Sequence, residues 1–303
     1  MKPFINRRFV IALGAALILV SSLAQARTVF LVVSSDDPFH QKIAAGFKKS
    51  FTGIFEENNL YGLEDRSRAL GKTLSENPPR LMVVIGDLAA KTAKQYCANC
   101  PIVHAAVSSS DGINLSGPNI YGISNLPNPA KMAENIRIVF PEVKNVGLIF
   151  QPKNTGRQVE QIQAAMSKAG LSLKAAPIEQ MKEIPKAFEQ ITPQIDLLLL
   201  IEDPGVVNND TLPYLFINCI KKKIPVFVSS EDLLKKCGVA GYSHDPEKLG
   251  AELAGLSSDV MSEKSAGSKI KSSSGNLMLN KKIAQMYNYN FSAQASAQGI
   301  IVQ

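Results

Sequence analysis

The sequence is poor in the residues and motifs that most enzymes need. It has three histidines in 303 residues, and no two of them stand at metal-ligand spacing, which removes the common histidine-based metal centres. No G-x-S-x-G elbow surrounds Ser108, Ser109 and Ser110, and no histidine is placed as their base, so the serine run reads as hydrogen-bonding or turn-forming. Gly86, Gly112 and Gly156 lie at turns, yet neither G-x-x-x-x-G-K-S/T nor G-x-G-x-x-G occurs, and phosphate-loop chemistry has no support. Charge of one sign is scarce too. The formal net charge is +7, and it falls to +4 without Lys2, Arg7 and Arg8. The remaining basic residues are scattered, and the run Lys221 to Lys223 sits where a helix ends, so nucleic acid is not an expected partner. There is no internal repeat. The one biased stretch, "SEKSAGSKIKSSSG" (262–275), reads as a polar connection.

The first residues read as an export signal. Lys2, Arg7 and Arg8 give a basic start, Phe9 to Leu23 an apolar stretch, and Ala24-Gln25-Ala26 a small-x-small cleavage site, so residues 1–26 are expected to be removed. The apolar stretch is short for a membrane span, which needs about 20 residues. All four cysteines, at 97, 100, 219 and 237, lie far beyond that site, so an anchoring lipid has no attachment point. The expected location is the periplasm.

Short β-branched runs alternate with amphipathic stretches, the pattern of a parallel α/β fold. Strands are expected at 28–34, 81–86, 101–107, 145–150, 171–176, 196–202, 225–230 and 238–243. Ile43, Phe47, Phe51 and Ile54 mark one helix; Val159, Ile162, Met166 and Ala169 mark another. Asp37-Pro38, Asn128-Pro129 and Asp245-Pro246 each combine a capping acceptor with a proline that presets the first helical turn. A boundary near "FPEVKNVGLIF" (140–150) separates two similar series of strand and helix units, so two doubly wound lobes are expected. In such sheets ligands bind beyond the carboxyl ends of the strands. The segments there are rich in hydroxyl, amide and carboxylate groups in both halves, which suits a ligand clamped between lobes.

Order and spacing of "AAGFKKSF", "PPRLMVVIGDLAAKTA", "PIVHAAVSSSDG", "NIYGISN", "EVKNVGLIFQPKN", "KKIPVFVSSEDLLKKCGVAGYSHDPEKLG" and "LMLNKKIAQMY" give the chain its resemblance. It resembles the substrate-binding proteins of ABC transporters with a type I periplasmic-binding fold, in the group that includes tryptophan-binding proteins. The resemblance implies two Rossmann-like lobes joined by three crossovers, 27–143 plus 245–265 and 144–242 plus 270–303. It implies a cofactor-free monomer that closes on a small polar or aromatic ligand, amino acids among the candidates, and delivers it to an inner-membrane ABC permease. The implied contacts are Phe39, His40, Asp87, Leu88, Ser108, Ser109, Ser110, Asp111, Ser124, Asn154, Asp203, Ser230 and Asp232.

Several of these positions have local readings as well. Asp37 caps a helix, Phe39 serves as stacking face or core residue, and Asp232 competes with a capping role. Asp203 is the leading single contact because it follows an apolar strand and precedes Pro204, which keeps the chain extended. His104, inside a strand, reads as a satisfied core residue. At Asp87 similar proteins carry a small hydroxyl residue that suits a ligand carboxylate. An acid there either caps the helix or faces a ligand that offers a cation. A sensor of the same fold that signals to a membrane receptor remains the alternative function.

Export also gives the cysteines a meaning. In an oxidising compartment all four can pair, and Cys97–Cys100 and Cys219–Cys237 are the expected bonds. The Cys-x-x-Cys stands after a helix and not at its start, which disfavours a thiol oxidoreductase.

Overall fold

The computed structural model describes residues 28–302 apart from 98, 109–112, 114 and 265–269. Residues 1–26, Ser109, Ser110 and Asp111, on which expectations fell, lie outside the described residues. The run Val29–Val33 forms β1 with every residue buried, as a strand covered by helices on both faces requires. Then follow α1 (Pro38–Ser50), β2 (Phe55–Asn59), α2 (Glu64–Glu76), β3 (Leu81–Ile85), α3 (Asp87–Tyr96), β4 (Ile102–Ala105) and β5 (Ile120–Ile123). The second series is α4 (Pro129–Val139), β6 (Asn145–Phe150), α5 (Pro152–Lys168), β7 (Ser172–Pro177), α6 (Ile184–Ile191), β8 (Leu197–Leu200), α7 (Leu212–Lys222), β9 (Val226–Val228), α8 (Glu231–Lys236) and β10 (Ala240–His244). The chain ends with α9 (Pro246–Met261), β11 (Ile270–Lys271), β12 (Gly275–Asn280), α10 (Lys281–Met286), α11 (Ala293–Gln298) and β13 (Ile300–Val302).

The strands form two sheets, ordered β11-β5-β4-β3-β1-β2 and β13-β12-β10-β9-β8-β6-β7. All neighbouring strands are parallel except β10 and β12. Three passages join the lobes: between β5 and α4, between β10 and α9, and between β11 and β12. Asp37, Asn128 and Asp245 cap α1, α4 and α9, each followed by proline.

The lobe limits differ from those expected. Helix α4 buries Met132, Ala133, Ile136 and Val139 in the core beneath the second sheet, so the first passage lies near 124–128 and not near 143. Strand β11 pairs with β5 in the first sheet, which moves the third passage beyond Lys271. Helix α9 returns to the first lobe and crosses α1 at very short range. A Cβ at Gly46 would lie 2.2 Å from the Glu247 carbonyl oxygen, so only glycine lets the two backbones meet. Helix α1 stops sooner than its periodicity suggests: Phe51 is the cap residue and Ile54 is 82% exposed.

Cys97 and Cys100 are bonded, clipping the turn between α3 and β4. The expected Cys219–Cys237 bond is not present; both are free, buried thiols in the second-lobe core. Cys237 Sγ donates to the Leu233 carbonyl, and burial pushes each thiol up to about 12.

His104 departs from its expected role in a different way. It is 2% exposed in β4, against Gly122 of β5, and neither ring nitrogen has a hydrogen-bond partner. Burial lowers its pKa from 6.5 to about 4. The unfolded chain therefore binds this proton more readily. The stability linked to this group is fully present above pH 6.5 and is lost as pH falls toward 4, by roughly 3 kcal/mol in total. Urea unfolding near pH 7.5 and pH 4.5 should show wild type losing on the order of 2 kcal/mol more than His104→Phe. Equal losses in the two proteins would contradict this.

Candidate functional site

A cavity of about 500 Å³ opens between the lobes, lined from one side by α1 and the segment after β4, and from the other by the segments after β8, β9 and β10. These are the polar strand ends singled out in the sequence. Phe39, His40, Ser108, Ser230 and Asp232 are the expected residues that line it.

On the first-lobe side the start of α1 is tightly organised. Asp37 accepts from the His40 backbone N–H at 3.0 Å, and its carboxylate also meets the Ser35 hydroxyl and His40 Nδ1. Burial lowers the His40 pKa, partly offset by the charges of Asp37 and Asp87. Phe39 packs one side on the first-lobe core and lines the cavity with the rest.

Asp87, the first residue of α3, turns to the neighbouring loop. Its Oδ1 accepts from the Ser108 N–H at 2.9 Å and its Oδ2 from the Ser108 hydroxyl at 2.6 Å. Gly86 before it has φ +89°, and a Cβ there would lie 2.7 Å from His40 Cε1. Only glycine allows this approach. Asp87 and Leu88 thus face an adjoining hollow of about 290 Å³ that shares His40 and Ser108 with the main cavity.

The floor is made by Asn125, Glu202 and His244, none of them among the contacts that the resemblance implies. Asn125, in the first passage, donates from Nδ2 to Glu202 Oε2 at 2.8 Å, and its carbonyl lies 3.0 Å from His244 Nε2. Glu202 follows β8 and His244 ends β10, so Asn125 ties the first passage to the second lobe through its side-chain amide and to the start of the second passage through its backbone carbonyl. Burial raises the Glu202 pKa; hydrogen bonds from Asn125 and Ser230 oppose this, while Asp232 and Asp87 push it further up. Burial lowers the His244 pKa. Ser124 shapes the passage itself, donating its N–H to the Lys271 carbonyl at 2.8 Å and accepting from Leu126 at 3.1 Å. The available signal was position alone, because Glu202 and His244 stand at strand ends.

On the second-lobe side Ser230 caps α8. Asp232 pairs with Lys236 and Glu231 with Lys235, both at 2.6 Å. Among the described residues no three His, Cys, Asp or Glu side chains gather in a way that could hold a metal ion.

Asp203 and Asn154 are not in the cavity. Asp203 is 1% exposed and accepts from Gln151 N–H at 2.7 Å, Thr155 Oγ1 at 2.6 Å, Asn154 Nδ2 at 3.0 Å and Gly205 N–H at 2.9 Å. Four donors fill its acceptor capacity, so this carboxylate fastens the segment after β6 to the segment after β8 and has nothing left for a ligand. Asn154 is spent on Asp203 and Gln151. Asp203→Ala strands several buried donors and should lower the unfolding free energy by roughly 3 kcal/mol or more in urea titration. A loss under about 1 kcal/mol would overturn this structural role.

The chain matches, over residues 28–298, the model of the family described as ABC transporter substrate binding protein. A tyrosine-binding protein of Clostridioides difficile (strain R20291) is 24% identical over 195 residues, 62% of this chain and 56% of that protein, so the match spans about half of the relative. Among solved structures, an ABC domain in complex with L-Trp from Streptococcus pneumonia superposes with TM-score 0.66 and 22% identity, covering 91% of this chain and 99% of that one. The ligand-free, open structure of a substrate binding protein with adhesive properties from Clostridium difficile gives TM-score 0.66 and 16% identity over 91% and 99% of the two chains. The fold is that of type I periplasmic binding proteins. With two lobes of mainly parallel strands, three passages and a cavity between them, the chain belongs to the ABC transporter substrate-binding protein family.

Proposed function

We propose that this protein is the periplasmic binding component of an ABC importer, capturing a small polar or aromatic ligand between its lobes and presenting it to an inner-membrane permease. The observation that carries this reading is the cavity, because its walls come from both lobes and its floor from the passage between them. A ligand touching both walls favours the arrangement in which they approach, so capture and hinge closure are one equilibrium. No bond is made or broken, and the process calls for no cofactor. A monomer suffices. The volume of about 500 Å³ lies in the usual range for small-molecule sites. Phe39 offers a ring face, and the relatives described as tyrosine-binding and as an L-Trp complex place aromatic compounds first among ligands to try.

Export by removal of residues 1–26 belongs to the same proposal. No helix of the described residues is long and apolar enough to cross a membrane. Thermal-shift screening of the mature chain against amino acids, amines, nucleosides and sugars tests it. One chemical class should raise the melting temperature by several degrees, since ligand at 100 times its Kd adds about 2.7 kcal/mol. No shift with any class at millimolar concentration would sink the reading.

A further inference from the structure

We propose that the captured ligand is an organic amine without a free carboxylate, and that Glu202 receives its ammonium group. The inference rests on the capture reading above and specifies the ligand chemistry of the same cavity.

A ligand carboxylate is commonly held at a helix N-terminus. Around this cavity those places already carry the protein's own carboxylates. Asp37 occupies the start of α1, accepting from His40. Asp245 occupies the start of α9, accepting from Glu247 and Lys248. Helix α8 opens with Glu231 and Asp232, and α3, beside the adjoining hollow, opens with Asp87. A free carboxylate approaching α1, α9 or α3 meets a like charge, and at α8 the acids are already paired with Lys235 and Lys236.

The cations of the wall are little help to such a ligand. Lys235 is paired with Glu231, and Lys42 stands exposed on α1, where an ion pair contributes little. His40 and His244 are both shifted by burial toward the neutral ring. His244 is 7% exposed on the cavity wall, its ring held through Nε2 at the Asn125 backbone carbonyl.

Glu202 shows the opposite preference. Among the described residues it has no lysine or arginine partner; its hydrogen bonds come from Asn125 and Ser230, and the charges felt there are those of Asp87 and Asp232. An ammonium group placed against it relieves this crowding of acids and supplies the counter-charge the floor lacks. Phe39 offers an apolar face for the rest of the molecule.

Calorimetric titration with matched pairs decides the matter: tyramine against tyrosine, tryptamine against tryptophan, phenethylamine against phenylalanine. At least one amine should bind tenfold or more tightly than its amino acid, and Glu202→Gln should weaken that amine at least tenfold. The paired comparison on wild-type protein stands even if the variant folds poorly. An amino acid that binds as well as or better than its amine overturns the proposal and leaves capture intact. So does binding confined to a sugar or nucleoside. Silence from every compound overturns both.

Discussion

Asn125 is the residue at which the first passage is fastened to the second lobe. Its side-chain amide holds Glu202 of the second lobe, and its backbone carbonyl meets His244 at the edge of the second passage. It lies in the first passage, the segment through which one sheet hands the chain to the other. A single residue thus reaches two of the three connections and the floor of the cavity.

The polar residues that make this joint possible are where they are because parallel sheets leave nowhere else for them. Strands such as β1, β3 and β8 are buried along their whole length, which forces apolar sequence from end to end. Hydroxyls, amides and carboxylates then collect at the carboxyl ends. Some of them organise the protein itself. Asp203 binds two loops together, and Asp87 holds Ser108 in place. Others, Glu202 among them, line the cavity.

Much of this architecture was legible in the residues, for reasons that differ by element. Buried strands and Asx-Pro helix starts carry strong local signals, and both were placed correctly. Strand β2, "FEENN", gave no apolar alternation because it is a half-exposed edge paired only with β1. Helix α4 was assigned to the wrong side of the boundary because its apolar face says that it is buried, not against which sheet. The same limit applies to acids at strand ends. Asp203 and Glu202 are adjacent, yet one is enclosed by four donors and the other faces the cavity, a distinction set by residues some 50 to 80 positions away. Cys219 and Cys237 flank a strand in the manner of a bonded pair, but both stay free thiols in the core.

Small-angle X-ray scattering on the mature chain, with and without a saturating ligand, tests most directly that capture and lobe closure are one event. The radius of gyration should fall on binding in wild type, and the fall should be reduced when Asn125→Ala removes the side chain that joins the first passage to Glu202. A saturating ligand that leaves the wild-type scattering curve unchanged would contradict the account.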